Sequence, residues 1–417
     1  MTHSDASPTN LATKLQAYLQ RSLSSLSIPA YRWLWFSILF GSMRLINVFI
    51  ARGWLVLAMT DSPFWVGAAV AMRGVTQILF GAFSGVLLDR VNRRLILGLA
   101  EISTALTAFT IGLLVYFDQV TLWHILAASF LEGMFVSVRW PAINTIILGI
   151  VGPERLLNAS AGQFLAFNVG NVTASAFAGL LIEGSGIHTA YFVATLFGLI
   201  GATCVFFVRE KFETKQDQEP FMQALQGGIR YIWHHKGLVQ LVAISFVMSF
   251  FGWAHISMMP VMARDVLLVD ATGLGYLTAA GATGALISTT IIAGLGDYQG
   301  KRRLVVYMGM FTAAMLIFFA ISRSFELSLL LKSLIHAGLM AFETGAMTLV
   351  LLLTDDKMQG RVQGIYTLVF GFTWLGGLAM GSLASISSAP VAIGLGGSII
   401  LLILIWLRRP ILRLPIE

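Results

Sequence analysis

The sequence predicts an all-α membrane protein: twelve transmembrane helices in two pseudo-symmetric six-helix halves. Three observations carry that prediction, namely the composition, a series of twelve apolar runs, and a short motif that recurs half a chain later. Of the 417 residues, 57% are hydrophobic and 11% are charged, against about 25% charged in an ordinary soluble domain. The runs reach about 20 residues, the length that crosses a ~30 Å hydrocarbon layer. A disulfide scaffold is excluded, because the single cysteine, Cys204, lies in an apolar run. Membrane topology accounts for the net charge of +7, so that charge implies no nucleic-acid partner.

Residues 1–30 are rich in Ser, Thr and Gln, carry Lys14 and Arg21, and lack an apolar core followed by a small-residue cleavage site. They read as a cytoplasmic tail and not as a removed signal peptide. Residues 31–208 hold six apolar runs, at 33–58, 63–88, 95–117, 121–142, 159–182 and 188–208. The longest polar interval, 209–237, reads as a cytoplasmic linker between the halves. Its second part, Phe221 to Trp233, has the apolar spacing of a helix lying at the inner interface. Six more runs fill 238–408, at 238–262, 271–295, 304–322, 327–353, 362–386 and 389–407, and 409–417 is a second cytoplasmic tail.

Lysine and arginine set the orientation. With the amino terminus inside, the cytoplasmic segments hold 20 of them and the opposite loops hold two, Arg264 and Arg323. That asymmetry puts both termini in the cytoplasm and agrees with an even number of spans. Trp33, Trp35, Trp140 and Trp406 fall at inner boundaries and Trp65 and Trp123 at outer ones, the depths that amphipathic rings prefer.

The motif Gly85-Val-Leu-Leu-Asp89-Arg90-Val-Asn92-Arg93-Arg94 follows the second run. Gly294-Leu-Gly-Asp297-Tyr-Gln-Gly300-Lys301-Arg302-Arg303 follows the eighth, with its Asp displaced by 208 residues. An internal repeat of half the chain is indicated. Basic pairs alone are common in cytoplasmic loops, but an Asp with a basic pair at +4 and +5, twice at corresponding loops, is specific. The glycine lets two helices approach closely, and Asp89, at a cytoplasmic helix end, can bind the positive end of a neighbouring helix or an arginine. A bond made in only one of two states shifts the equilibrium between them. Gly85, Asp89, Arg90, Arg93, Arg94, Asp297, Gly300, Lys301 and Arg302 are therefore candidates for conformational gating.

The segment Gly85 to Arg94 resembles the signature loop of the major facilitator superfamily, with Asn92 in place of the expected glycine. The second copy keeps that glycine as Gly300 and has Tyr298 where an arginine belongs. Trp54-Leu-Val-Leu-Ala-Met-Thr60-Asp-Ser62-Pro63, Val151-Gly-Pro153-Glu154-Arg-Leu156-Leu-Asn158-Ala159, Gly228-Ile-Arg230-Tyr231 and Gly360-Arg361-Val362-Gln-Gly-Ile-Tyr366 are similar to segments of the prokaryotic macrolide and enterobactin exporter branch. The resemblance runs from Tyr31 to Trp406. It implies two six-helix bundles around a central cavity, rocking between inward-open and outward-open states. Antiporters of the superfamily tend to carry a Gly-Pro in the fifth span, where this chain has Ala174-Ser175. That departure leaves uniport, or a lipid-like substrate, as the alternative to proton antiport.

A charge at the bilayer centre costs about 2.5–3.5 kcal/mol on insertion scales, so each one is expected to face the bundle interior with a partner. Arg44, Arg73, Glu132, His336 and Glu343 fall at depth, and Arg52, Glu101, Arg139 and Lys332 nearer an interface. Glu132 and Glu343 are 211 residues apart, almost the offset of the loop repeat, and are the candidates for proton coupling. Glu132 has a second reading, an ion pair with Arg44 or Arg73. Arg139, two turns beyond Glu132, is expected to snorkel to the inner interface. Arg44 and Asn47 share a helix face. With Arg73, Asn168, Asn171, Trp253 and Trp374 they are candidates for lining a substrate cavity, although Asn168, Asn171, Trp253 and Trp374, each taken alone, read first as interhelical packing. Gln163 and His255 belong to the same set, His255 near the outer end and read as packing.

No phosphate-cradling glycine loop is present, and His234-His235 stands without further ligands at metal spacing, so neither an enzyme, a cofactor nor a metal is expected. The expectation is a proton-coupled secondary transporter of the bacterial inner membrane that exports a small amphipathic or hydrophobic compound by alternating access. A membrane sensor or scaffold without turnover is the reading from another class. One chain holds both halves, so a monomer suffices.

Overall fold

The computed structural model describes residues 25–208, 221–295, 298 and 300–414. Among them are 12 helices long and apolar enough to span a membrane, the form in which a chain in lipid satisfies its backbone groups within one segment. The first to third spans are Pro29–Thr60, Pro63–Arg90 and Arg93–Tyr116. The fourth to sixth are Leu122–Leu156, Asn158–Ser185 and Ile187–Phe206. The seventh to ninth are Lys236–Val266, Ala271–Leu295 and Lys301–Ile321. The last three are Phe325–Leu352, Gln359–Ile386 and Ala389–Leu412.

Local chemistry sets the ends. Pro29, Pro63 and Pro390 stand in first turns, where a missing N–H costs nothing. Asn92, which departs from the family's glycine, caps the third span by accepting from the N–H groups of Arg94 and Leu95. The fourth span continues past the expected end at 142, because the helix runs through Pro141. It kinks at Gly152, four residues before its end, whose φ of 71° is a region glycine enters without steric cost. The linker carries a helix, Phe221–His234, whose Gly227 and Gly228 lie against Arg361 and Ile365 of the eleventh span.

Successive spans run up and down, so the first begins and the twelfth ends on one face, here the basic face. The halves meet through the second and eleventh spans and through the fifth and eighth. At the opposite face these pairs approach to backbone contact. A Cβ on Gly67 would stand 2.5 Å from the Gly377 carbonyl oxygen, and one on Gly275 would stand 2.7 Å from that of Ser175. Gly360 and Gly364, at the basic end of the eleventh span, have open space at the same test. The bundle is therefore closed at the opposite face. Ala174 and Ser175, standing where a Gly-Pro was expected, are fully buried in this closure.

Among the described residues one ion pair ties the halves across the closed face. Asp61 ends the first span in a left-handed conformation, and the Arg264 guanidinium of the seventh span donates to its carboxylate and, at 3.2 Å, to the Leu57 carbonyl. The Asp61 side chain is 82% exposed, so the pair is worth up to about 1 kcal/mol. Arg264→Gln is expected to raise the population open at that face by up to about fivefold. Spin labels at Phe117 and Ile386 measure it; an unchanged distance distribution removes the latch role.

Candidate functional site

Two buried polar clusters occupy the two halves. In the first, Arg52 donates to Glu132 at 2.6 Å and to Ser129 at 3.3 Å, and Arg73 Nε lies 4.0 Å from the other oxygen of Glu132. One layer away, Arg139 donates to Glu101 at 2.6 Å, with Arg44 3.5 Å from the second oxygen. All six side chains are at most 5% exposed. Four guanidiniums thus share two carboxylates, which fixes the first, second, third and fourth spans to one another. The cavity beside Arg44, Arg52 and Glu132 measures about 20 Å³, room for about one water and not for a substrate.

This geometry corrects two sequence readings. Arg139 does not snorkel; it is 1% exposed, because Glu101 from the third span reaches its depth. The main partner of Glu132 is Arg52, which had been placed near an interface, while Arg44 turns to Glu101. One signal was available: Arg44 and Arg52, eight residues apart, lie on one helix face.

The second cluster differs in kind. Glu343, 7% exposed, accepts from Trp253 Nε1 at 3.3 Å and from the Tyr366 hydroxyl at 3.1 Å, and Tyr366 accepts in turn from Ser245 at 3.0 Å. Among the described residues Glu343 makes no ion pair. Trp253 is half-buried, at the start of a 3-10 segment that follows a π turn in the seventh span; π turns occur frequently at functional sites.

The cavity candidates separate. Arg73 lies 4.9 Å over the Trp374 ring, and Trp374 donates to Gln77 at 3.1 Å, so these residues join the second and eleventh spans across the two halves. Asn47 is buried and donates to Met43 of its own helix at 3.0 Å. Asn168, half-buried, donates to Phe164 at 2.9 Å, and Asn171 keeps a buried Oδ1 without a partner among the described residues.

The repeated loops show matching anchors. Arg94 donates to the Val208 carbonyl at 2.6 Å, and Arg302 donates to the Leu414 carbonyl at 2.6 Å. Each holds the chain just past the last span of its half, a cation placed where a helix end leaves carbonyls unpaired. Arg93 donates to Leu88 at 3.3 Å, Gly300 precedes the ninth span and Lys301 begins it. The side chains of Asp89 and Arg90, the packing around Gly85, and residue Asp297 lie outside the described residues.

Twelve spans in two related halves, closed at one face, with a carboxylate that makes no ion pair among the described residues held between helices, define a membrane transporter of the major facilitator superfamily. Within that superfamily, the chain belongs to the transmembrane secretion effector family, whose profile matches residues 20–416. It is similar to the enterobactin exporter EntS of Shigella flexneri, 25% identical over 361 residues, covering 84% of this chain and 86% of that protein. EntS of Escherichia coli O81 is 24% identical over the same coverage. Its fold matches a variant of the nucleoside transporter NupG, with TM-score 0.74 and 14% identity over 92% of this chain and 100% of the other. It also matches a bacterial homologue of the lysosomal transporter Spinster, solved inward-facing and unoccupied, with TM-score 0.72 and 13% identity over 92% and 97%.

Proposed function

We propose that this transporter exports a small amphipathic or hydrophobic compound, of the drug, macrolide or siderophore type, from the bacterial cytoplasm across the inner membrane, driven by protons. The basic face is cytoplasmic in this reading, so the closed bundle is the inward-facing state of an alternating-access cycle. Similarity to enterobactin exporters supports the direction of transport. The observation that carries the coupling is Glu343, a buried carboxylate held, among the described residues, by neutral donors only. A carboxylate without a cation beside it can take up and release a proton as its surroundings change. Glu132, locked against Arg52, is not free in that way.

The test has two stages. Expression in an efflux-deficient bacterium, against a panel containing a macrolide, a catechol siderophore and a cationic dye, is expected to raise tolerance to at least one compound by about fourfold or more, as a modest change in steady-state level gives. The protein in liposomes is then expected to move protons opposite to that compound. Protection without proton movement removes the coupling, and no protection against any compound removes the substrate class.

A further inference from the structure

We propose that Lys332, His255 and His336 form a proton-holding station on the opposite-face side of Glu343 and pass protons to it; the proposal rests on the coupling inferred above. Lys332 and His255 are 1% and 0% exposed, and Lys332 Nζ stands 2.6 Å from His255 Nε2. His255 Nδ1 lies 2.5 Å from the Gly252 carbonyl. A carbonyl only accepts, so Nδ1 carries the hydrogen and Nε2 offers the lone pair that takes a hydrogen from Lys332. A proton crosses in that one hydrogen bond: the Nζ–H bond breaks and leaves its electron pair on Nζ, Nε2–H forms, and the charge passes from ammonium to imidazolium.

The next base is close. The His336 ring lies 5.5 Å from His255 and 5.4 Å from Trp253, and its buried Nε2 has no hydrogen-bond partner among the described residues. Trp253 in turn donates to Glu343; an indole N–H has no lone pair to take a proton, so on the proposed route the proton leaves His336 Nε2 for water beside Trp253 and that water protonates Glu343. Lys332, His336 and Glu343 share one face of the tenth span, with about 16 Å of helix between the first and the last. The station therefore leads from the opposite face toward the carboxylate.

Its electrostatics separate it from the ion-paired cluster of the other half. Among the described residues Lys332 makes no ion pair. The tenth span packs on the eighth, ninth, seventh and eleventh. Away from the basic face, their titratable residues are Tyr276, Asp270 at the cap of the eighth, Arg323 after the ninth, Arg264 and Asp265 at the end of the seventh, and Tyr366 on Glu343; the tenth span itself adds Glu326 at its start. Two bases that share one hydrogen bond with no carboxylate beside them hold a single excess proton, because two like charges so close in a low dielectric repel strongly. Such a pair can be emptied and refilled.

The experiment needs no substrate. The purified full chain is taken through a pH jump, and the protonated carboxyl of Glu343 is followed by infrared difference spectroscopy, assigned by its loss in Glu343→Gln. In Lys332→Met and in His336→Asn the signal is expected to appear at least about tenfold more slowly. Acid quenching of Trp253 fluorescence, isolated by subtracting Trp253→Phe, is expected to vanish in His336→Asn. Lys332→Gln and His336→Gln replace any variant that does not fold. Wild-type rates in both positions overturn the station and leave the coupling intact, whereas a wild-type Glu343 that takes up no proton overturns both.

Discussion

Glu343→Gln is expected to abolish proton-driven export, by about a hundredfold or more, while the protein unfolds within about 1 kcal/mol of wild type. Glutamine keeps the size of the side chain; its oxygen accepts from Trp253 as one carboxylate oxygen does at 3.3 Å, and its NH2, standing where the other oxygen accepts from Tyr366 at 3.1 Å, donates to that hydroxyl, which turns to donate to Ser245. No cation is left uncompensated by the change, because none pairs with Glu343 among the described residues. Only the capacity to carry a proton is lost. A coupling carboxylate thus predicts a large kinetic loss, of order 10² or more as for a removed proton-transfer group, with stability in the range of a conservative substitution. Exchange of labelled for unlabelled compound across liposomes, which needs no net proton movement, is expected to persist. Export by Glu343→Gln that still follows an imposed pH gradient would transfer the coupling to another group.

Glu132→Gln is expected to do the reverse. Its carboxylate is paired with Arg52 at 2.6 Å and lies 4.0 Å from Arg73, with all three side chains at most 5% exposed. Removing one partner of a buried pair leaves charge in an apolar surrounding and costs about 3–5 kcal/mol. The thermal midpoint in detergent and the yield of folded protein are expected to fall sharply. The double variant Arg52→Met with Glu132→Met removes the close pair and is expected to recover part of that loss, since Arg73, 4.0 Å from Glu132, then keeps only the Trp374 ring as a partner. Its export is expected to remain coupled to protons, which separates structural from coupling carboxylates. A double variant that is stable and uncoupled returns Glu132 to the proton pathway.

The spans, the superfamily and the twofold repeat were legible because each is written in short stretches of chain. Hydropathy over a single segment decides whether it enters lipid, and the Gly85–Arg94 motif recurs at Gly294–Arg303 whatever the helices do around it. The matching anchors Arg94 on Val208 and Arg302 on Leu414 are that repeat seen in three dimensions. Glu132 and Glu343, by contrast, stand at almost equivalent positions of the two halves and looked alike as sequence. Arg139 and Glu101 looked like interface residues and are a buried pair.

What the sequence by itself determined is therefore the number and kind of elements, since burial in lipid is a property of one segment and its backbone satisfies itself within that segment. The tertiary structure alone decided which charges meet, that among the described residues Glu343 has only neutral donors, that Arg73 reaches Trp374 of the other half, and that one face is closed where Gly67 meets Gly377 and Gly275 meets Ser175. Partnership between helices depends on the rotation and depth of each against its neighbours, and the packing of small residues and counter-charges from distant segments fixes both together.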